Sequence, residues 1–333
     1  MTIARRTLSS GLALTEIGMG AAQFGNLFQE TTDEVSTAAV RDAWEGGIRY
    51  FDTAPHYGLG LSERRLGAAL ADYPRDEYIL STKVGRLLEP SPSTAGELDD
   101  QGFVVPASTK RVWDFSRDGV LRSVEASLER LGLDRIDIVY LHDPDDHFEA
   151  ASSTGVSALI ELREQGVIRA VGAGMNQAPL LAELIRRADV DLVMAAGRFT
   201  LVDPSALDDL LPLAASRGVG VVAAAAYNSG LLSNAAVSDD AYFDYGPAPV
   251  ELIARAREIA RLCEAHGVTL PDAAVQYPLL HPAVVSVVLG LRSPAHVAST
   301  LTRYHAEIPG ALWAELFDSG LVVDPARTEG AAS

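Results

Sequence analysis

The chain has 333 residues, 48 % of them hydrophobic and 22 % charged, with 28 glycines and 17 prolines, a composition able to build a large packed core. Its 45 acidic side chains outnumber the 27 basic ones, for a formal net charge of −18, and so acidic a surface argues against nucleic-acid or membrane partners. Cys263 is the only cysteine, which excludes an intrachain disulfide and a thiolate zinc site; its helical spacing within ARAREIARLCEAHG marks it as a core residue.

The opening MTIARRTLSSGLALTEIG has no unbroken apolar stretch of signal-peptide length, and nothing later approaches the ~20 apolar residues of a membrane span, so a cytoplasmic protein is expected. Residues 1–13 are expected to form a hairpin and 324–333 a disordered tail. Apolar runs rich in β-branched residues then recur at 14–22, 48–54, 77–85, 135–143, 167–175, 189–197, 218–227 and 283–291. Most lack strict alternation, as strands covered on both faces do. Amphipathic stretches of helical period lie between them. The first, TTDEVSTAAVRDAWEGG, offers Thr31, Thr32 and Asp33 as caps and stops at Gly46–Gly47. Strands alternating with helices eight times in one run predict a single-domain α/β fold over 1–333, a closed (β/α)8 TIM barrel; no G-x-G-x-x-G follows the first strand to favour an open doubly wound sheet.

Two intervals exceed simple connections: Arg86–Ser116 after the third strand and Asn228–Pro249 after the seventh. Both leave the carboxyl ends of strands, where barrel enzymes build their sites, and both carry aromatics, so they are expected to act as lids or pocket walls. Four ionisable residues stand at or near that same face. Asp52 ends the second strand, Tyr57 follows in its loop, Lys83 lies near the end of the third and His142 ends the fourth. A phenol of pKa near 10 exchanges protons poorly at neutral pH, but an ammonium within ~4–6 Å lowers that value. A carboxylate fixes the ammonium and a neutral imidazole orients an oxygen, which together suit hydride transfer between carbon and a nicotinamide.

GIRYFDTAPHYGLGLSERRLG (47–67) resembles the aldo-keto reductase signature, and STKVG and YLHD resemble that family's lysine and histidine strands. The resemblance implies Tyr57 as acid/base, Lys83 and Asp52 as its tuners and His142 as substrate orienter. For an extended nicotinamide dinucleotide it implies Met175 and Asn176 at the carboxamide, Tyr227 stacking on the nicotinamide, and Ser229, Gly230 and Leu231 at the pyrophosphate. Gly290, Arg292, Ser293 and His296 then fall at the adenosine phosphate end. His296 stands where NADP-selective members often carry arginine, so NAD is favoured over NADP, although Arg292 could fork onto a 2′-phosphate. GLGLSERRLG, KRVWDFSRDGV, LHDPDDH, GAGMNQ and YNSGLL resemble the D-threo-aldose 1-dehydrogenase group, which includes L-fucose dehydrogenases and is close to pyridoxal 4-dehydrogenases. That group implies oxidation of the anomeric carbon of an aldose to a lactone, with His56, Trp113, Asp143 and Arg198 as sugar contacts. A pyridoxal 4-dehydrogenase, a general aldehyde reductase and a nicotinamide-binding regulatory subunit are the alternatives. No metal is expected, and the chain is expected to be a monomer or small homo-oligomer.

Overall fold

The computed structural model describes residues 2–326. Each of the eight apolar runs supplies one strand: β1 (Ile17–Gly20), β2 (Tyr50–Asp52), β3 (Ile79–Val84), β4 (Ile138–His142), β5 (Ala170–Met175), β6 (Leu192–Ala196), β7 (Gly220–Ala224) and β8 (Val284–Gly290). All are parallel, each pairs with the next in sequence, and β8 returns to β1 to close the barrel. The part of the expected tail from 327 to 333 lies outside the described residues.

The helices around the barrel are α1 (Asp33–Glu45), α2 (Leu61–Leu70), α3 (Arg117–Leu131), α4 (Val156–Glu164), α5 (Ala178–Arg187), α6 (Leu210–Arg217), α7 (Val250–Ala265), α8 (Leu270–Gln276), α9 (Pro294–Tyr304) and α10 (Gly310–Asp318). Local chemistry sets their ends. Thr32 accepts a hydrogen bond from the Val35 amide at the start of α1, where Asp33 and Glu34 also oppose the helix dipole. Two helices, α8 and α10, answer to no stretch read as helical. They are short, yet α8 carries a legible signal: Thr269 and Asp272 form a capping box. Cys263 is buried on α7, and burial pushes its thiol up to about 12.

An antiparallel hairpin, Arg5–Thr7 with Ala13–Thr15, closes the amino-terminal end of the barrel. Its Leu8, Leu12 and Leu14 join Ile79, Ile138, Leu192 and Val285 in the barrel interior. At the opposite end both long intervals rise as hairpins. Residues Arg86–Pro90 pair antiparallel with Thr109–Trp113, and Tyr242–Phe243 with Gly246–Pro247. In the first, Arg86 lies opposite Trp113 and Leu88 opposite Arg111. Because side chains alternate along a strand, these four share one face of the hairpin.

Candidate active site

Strand register places the charged cluster. Asp52 pairs with Ser81 across β2–β3, and Lys83 with Tyr140 across β3–β4. Alternation therefore turns Tyr50, Ser81 and Tyr140 inward as one layer and Asp52, Lys83 and His142 as the layer above it. In the lower layer the Tyr50 and Tyr140 hydroxyls lie 3.0 Å apart, and Ser81 Oγ donates to Tyr50 Oη at 3.1 Å or to Asp52 Oδ1 at 2.7 Å. In the upper layer Lys83 Nζ donates to Asp52 Oδ2 at 2.7 Å and to the Thr53 carbonyl at 3.0 Å. Asp52, Lys83 and His142 are all buried.

Tyr57 reaches the cluster from a loop, and its backbone is fixed by close packing. A Cβ at Gly25 would lie 2.5 Å from the Tyr57 carbonyl carbon, and one at Gly58 would lie 2.3 Å from the Gly25 carbonyl oxygen. Gly58 also has φ +61°. Two glycines thus let the loop press onto the segment after β1. Ser62 Oγ donates to the Ala21 carbonyl, and buried Glu63 accepts from Thr82 Oγ1 and from Arg130, which explains two further letters of the signature as structural ties.

The Tyr57 ring centroid lies 4.8 Å from Lys83 Nζ and 5.7 Å from the His142 ring. The cluster corrects one expectation. Burial raises the Tyr57 phenol above its usual range, and Lys83, the largest lowering influence, offsets this only in part, because Asp52 neutralises much of the ammonium's field. Burial depresses Lys83, but Asp52 and then Tyr57 outweigh it and raise the ammonium above its usual range. For His142, burial and then the cations Arg86 and Lys83 push the imidazole well below its usual value, so it is neutral. His56 is pushed down to about 2 by burial, Arg86 and Arg111.

The residues expected to touch substrate divide. His56 lies 5.4 Å from the His142 ring, centroid to centroid, and Asp143 Oδ2 accepts from Arg86 at 2.6 Å while lying 3.4 Å from His142 Nε2. Trp113 stands beside them, half exposed, with the Arg86 guanidinium 4.5 Å from its ring. Arg198 is the exception. It donates to Asp203, to both oxygens of Asp244 and to the Asn176 carbonyl, so its role is to tie the hairpin after β7 to the ends of β5 and β6.

The residues expected to touch a dinucleotide divide as well. Met175 is buried at the end of β5, and Asn176 follows, its amide donating to the Ala196 carbonyl. Ser229 Oγ accepts from the Tyr245 amide, Gly230 has φ +101° and Leu231 is buried. Gly290 lies against the Gln23 side chain; Ser293 stands at the N-cap position of α9 without a side-chain capping hydrogen bond, and His296 is exposed in its first turn. Tyr227 departs from its expected role: its hydroxyl accepts from Arg303 on α9 at 2.7 Å, which turns the ring toward that helix. The residue that faces the interior at the end of β7 is Ala224. Arg292 departs too. Its guanidinium donates to the carbonyls of Leu27 and Gln29 and to Thr31 Oγ1, so the 2′-phosphate fork expected of it is already spent on a loop.

Residues not singled out from the sequence also converge here, beside the expected His56. Gln23 Oε1, Asn228 Oδ1, His56 Nδ1, Arg86 Nε, Arg111 Nε and Asp145 Oδ1 are buried without hydrogen-bond partners. Buried polar atoms are seldom left so, and a set of them around a barrel mouth fits a polar ligand. Gln23, Asn176 and Asn228 are side chains here that could hold a dinucleotide's amide and phosphate groups. The alternation of RLLEP and TKRVW was the available signal for Arg86 and Arg111; none marked Gln23 or Asn228.

The chain belongs to the aldo/keto reductase family, whose pattern it matches over residues 16–316. It is an oxidoreductase working with a nicotinamide cofactor. A D-threo-aldose 1-dehydrogenase from a Pseudomonas species is 46 % identical over 320 residues, covering 95 % of this chain and 97 % of the relative. A pyridoxal 4-dehydrogenase from Microbacterium luteolum is 36 % identical, with 94 % and 96 % covered. Among solved structures, a holo-form aldo-keto reductase from Bacillus halodurans superposes with a TM-score of 0.73 at 26 % identity, covering 99 % of this chain and 100 % of that one. Among the described residues, no helix is long and apolar enough to cross a membrane.

Proposed function

We propose that the protein oxidises the anomeric carbon of an aldose of the L-fucose or D-threo type to the lactone. The observation that carries this is the Tyr57–Lys83–Asp52–His142 cluster beneath a rim of hydrogen-bonding side chains, together with the likeness to a D-threo-aldose 1-dehydrogenase. Neutral His142 orients the C1 hydroxyl. Tyr57 takes its proton as the phenolate, a minor form because burial raises the phenol's pKa; Lys83 stabilises that phenolate in part while Asp52 fixes the ammonium, so turnover should rise toward alkaline pH. A nicotinamide cofactor held by Asn176, Asn228 and Gln23 would supply the hydride acceptor for C1.

NAD is favoured over NADP because Arg292 is committed to backbone carbonyls and α9 presents His296, so no arginine pair awaits a 2′-phosphate. The net charge of −18 and the aldo/keto reductase fold suit a cytoplasmic enzyme. The test follows the absorbance of reduced nicotinamide with NAD or NADP and L-fucose, D-arabinose, L-galactose, L-xylose or pyridoxal. Reduction with L-fucose or D-arabinose, faster with NAD, is expected. Reduction with pyridoxal and with none of the sugars would replace the aldose reading by the pyridoxal one.

A further inference from the structure

The hairpin Arg86–Pro90/Thr109–Trp113 brings a second charged cluster to the rim. Arg86 donates to Asp143 Oδ2, and its guanidinium lies 4.5 Å from the centre of the Trp113 ring across the hairpin. Arg111, on the same face, forms a forked pair with Asp99 and donates to the His56 carbonyl. Three cations of the mouth thus each face one carboxylate: Lys83 with Asp52, Arg86 with Asp143, Arg111 with Asp99. Asp145 adds a further carboxylate within the field of Arg86. A phosphate or carboxylate entering this region would meet no uncompensated positive charge among these residues, and an uncharged polyol suits it better.

What remains unsatisfied is hydrogen-bonding capacity rather than net charge. Arg86 Nε can only donate, Asp145 Oδ1 can only accept, and His56 Nδ1 can do either according to tautomer. A vicinal diol supplies both kinds of partner. Asp143 and Trp113 hold the guanidinium so that little side-chain freedom is lost on binding.

We infer that Arg86 is a specificity-determining residue that reads the non-reacting hydroxyls of an uncharged polyol, donating from its guanidinium while Asp143 and Trp113 hold it in place. This deepens the aldose reading and rests on it. Arg86 also stands among the cations that keep His142 and His56 neutral, so one residue both recognises the substrate and preserves the imidazole that orients it.

The experiment compares wild type, Arg86→Lys and Arg86→Met on L-fucose and its 2-, 3- and 4-deoxy derivatives, with NADH fluorescence on binding as the check that each variant is folded. Wild type should lose about 10- to 100-fold in kcat/KM when the hydroxyl read by Arg86 is absent. Both variants should shrink that penalty to a few-fold, with the loss on L-fucose falling mainly on KM. The acid limb of the pH profile should move upward in Arg86→Met and stay in Arg86→Lys, which retains the charge. A deoxy penalty as large in the variants as in wild type, or none in wild type, would overturn the inference while leaving aldose oxidation intact. Failure of wild type to oxidise any aldose would remove the functional reading itself, and this inference with it.

Discussion

The two ends of the barrel interior are filled by opposite chemistry. At the amino-terminal end the hairpin side chains Leu8, Leu12 and Leu14 pack on Ile79, Ile138, Leu192 and Val285, all buried. At the carboxyl end, where Lys83 and His142 stand four residues beyond Ile79 and Ile138 on the same strands, Asp52, Lys83 and His142 are equally withdrawn from water. The first end stabilises by removing apolar surface from solvent. The second desolvates a Lys83–Asp52 charge pair that only each partner's presence makes tolerable, which costs stability and marks the candidate proton-transfer site. The alternation of a strand makes the contrast possible, since Ile79 and Lys83 belong to one six-residue element.

Exchanging Tyr57 for phenylalanine breaks the contrast at its most sensitive point. Tyr57→Phe should lower kcat by about 10²- to 10⁴-fold while NADH still binds and the melting temperature barely moves. Near-normal turnover would remove the assigned acid/base. Lys83→Met should be almost as damaging to kcat, and it should also destabilise the fold by about 3–5 kcal/mol because it strands Asp52 as a buried carboxylate. Adding Asp52→Asn should recover much of that stability, read by urea denaturation, and none of the activity. If the single variant only weakened cofactor binding, the tuning role would fail.

The apolar end should respond in the opposite way. Leu14→Ala should cost about 2–5 kcal/mol through the cavity it leaves, with kcat unchanged at a temperature where the variant is folded. A proportional loss of kcat would show that the plug positions the site. The smallest effect expected is that of pH on stability. The folded state holds His56 and His142 neutral, whereas the unfolded chain protonates both below pH ~6.5. The unfolded state then binds more protons, so stability falls with falling pH, by up to about 1.4 kcal/mol per pH unit for each imidazole that stays neutral. Urea denaturation at pH 7.5 and 5.5 should show this drop, and a His56→Asn/His142→Asn variant should flatten it.

Much of the site could be read from residue type and position. Asp52, Lys83 and His142 were identified by their places at strand ends, where an ionisable residue needs a partner or a purpose. Tyr57 needed the resemblance, because a loop tyrosine has no periodicity to mark where it points; the tight contact of Gly25 with the loop is what aims it. Arg198, Arg292 and Tyr227 show what sequence order leaves open. Each sits where its expected role allows, and each spends its donors or acceptor on partners far off in the chain, such as Leu27 for Arg292.

By itself, then, the sequence determined the eight-fold alternation, the end of the barrel where the candidate site lies and the four groups proposed to act there. Hydrophobic period and residue chemistry are local properties, so a linear reading reaches them. Only the tertiary structure decided which arginines are free, which residue faces inward above β7 and that Arg86 stands over the mouth. Long polar side chains are satisfied by whatever donors and acceptors folding brings within 3 Å, and hairpin register selects the face on which a residue emerges.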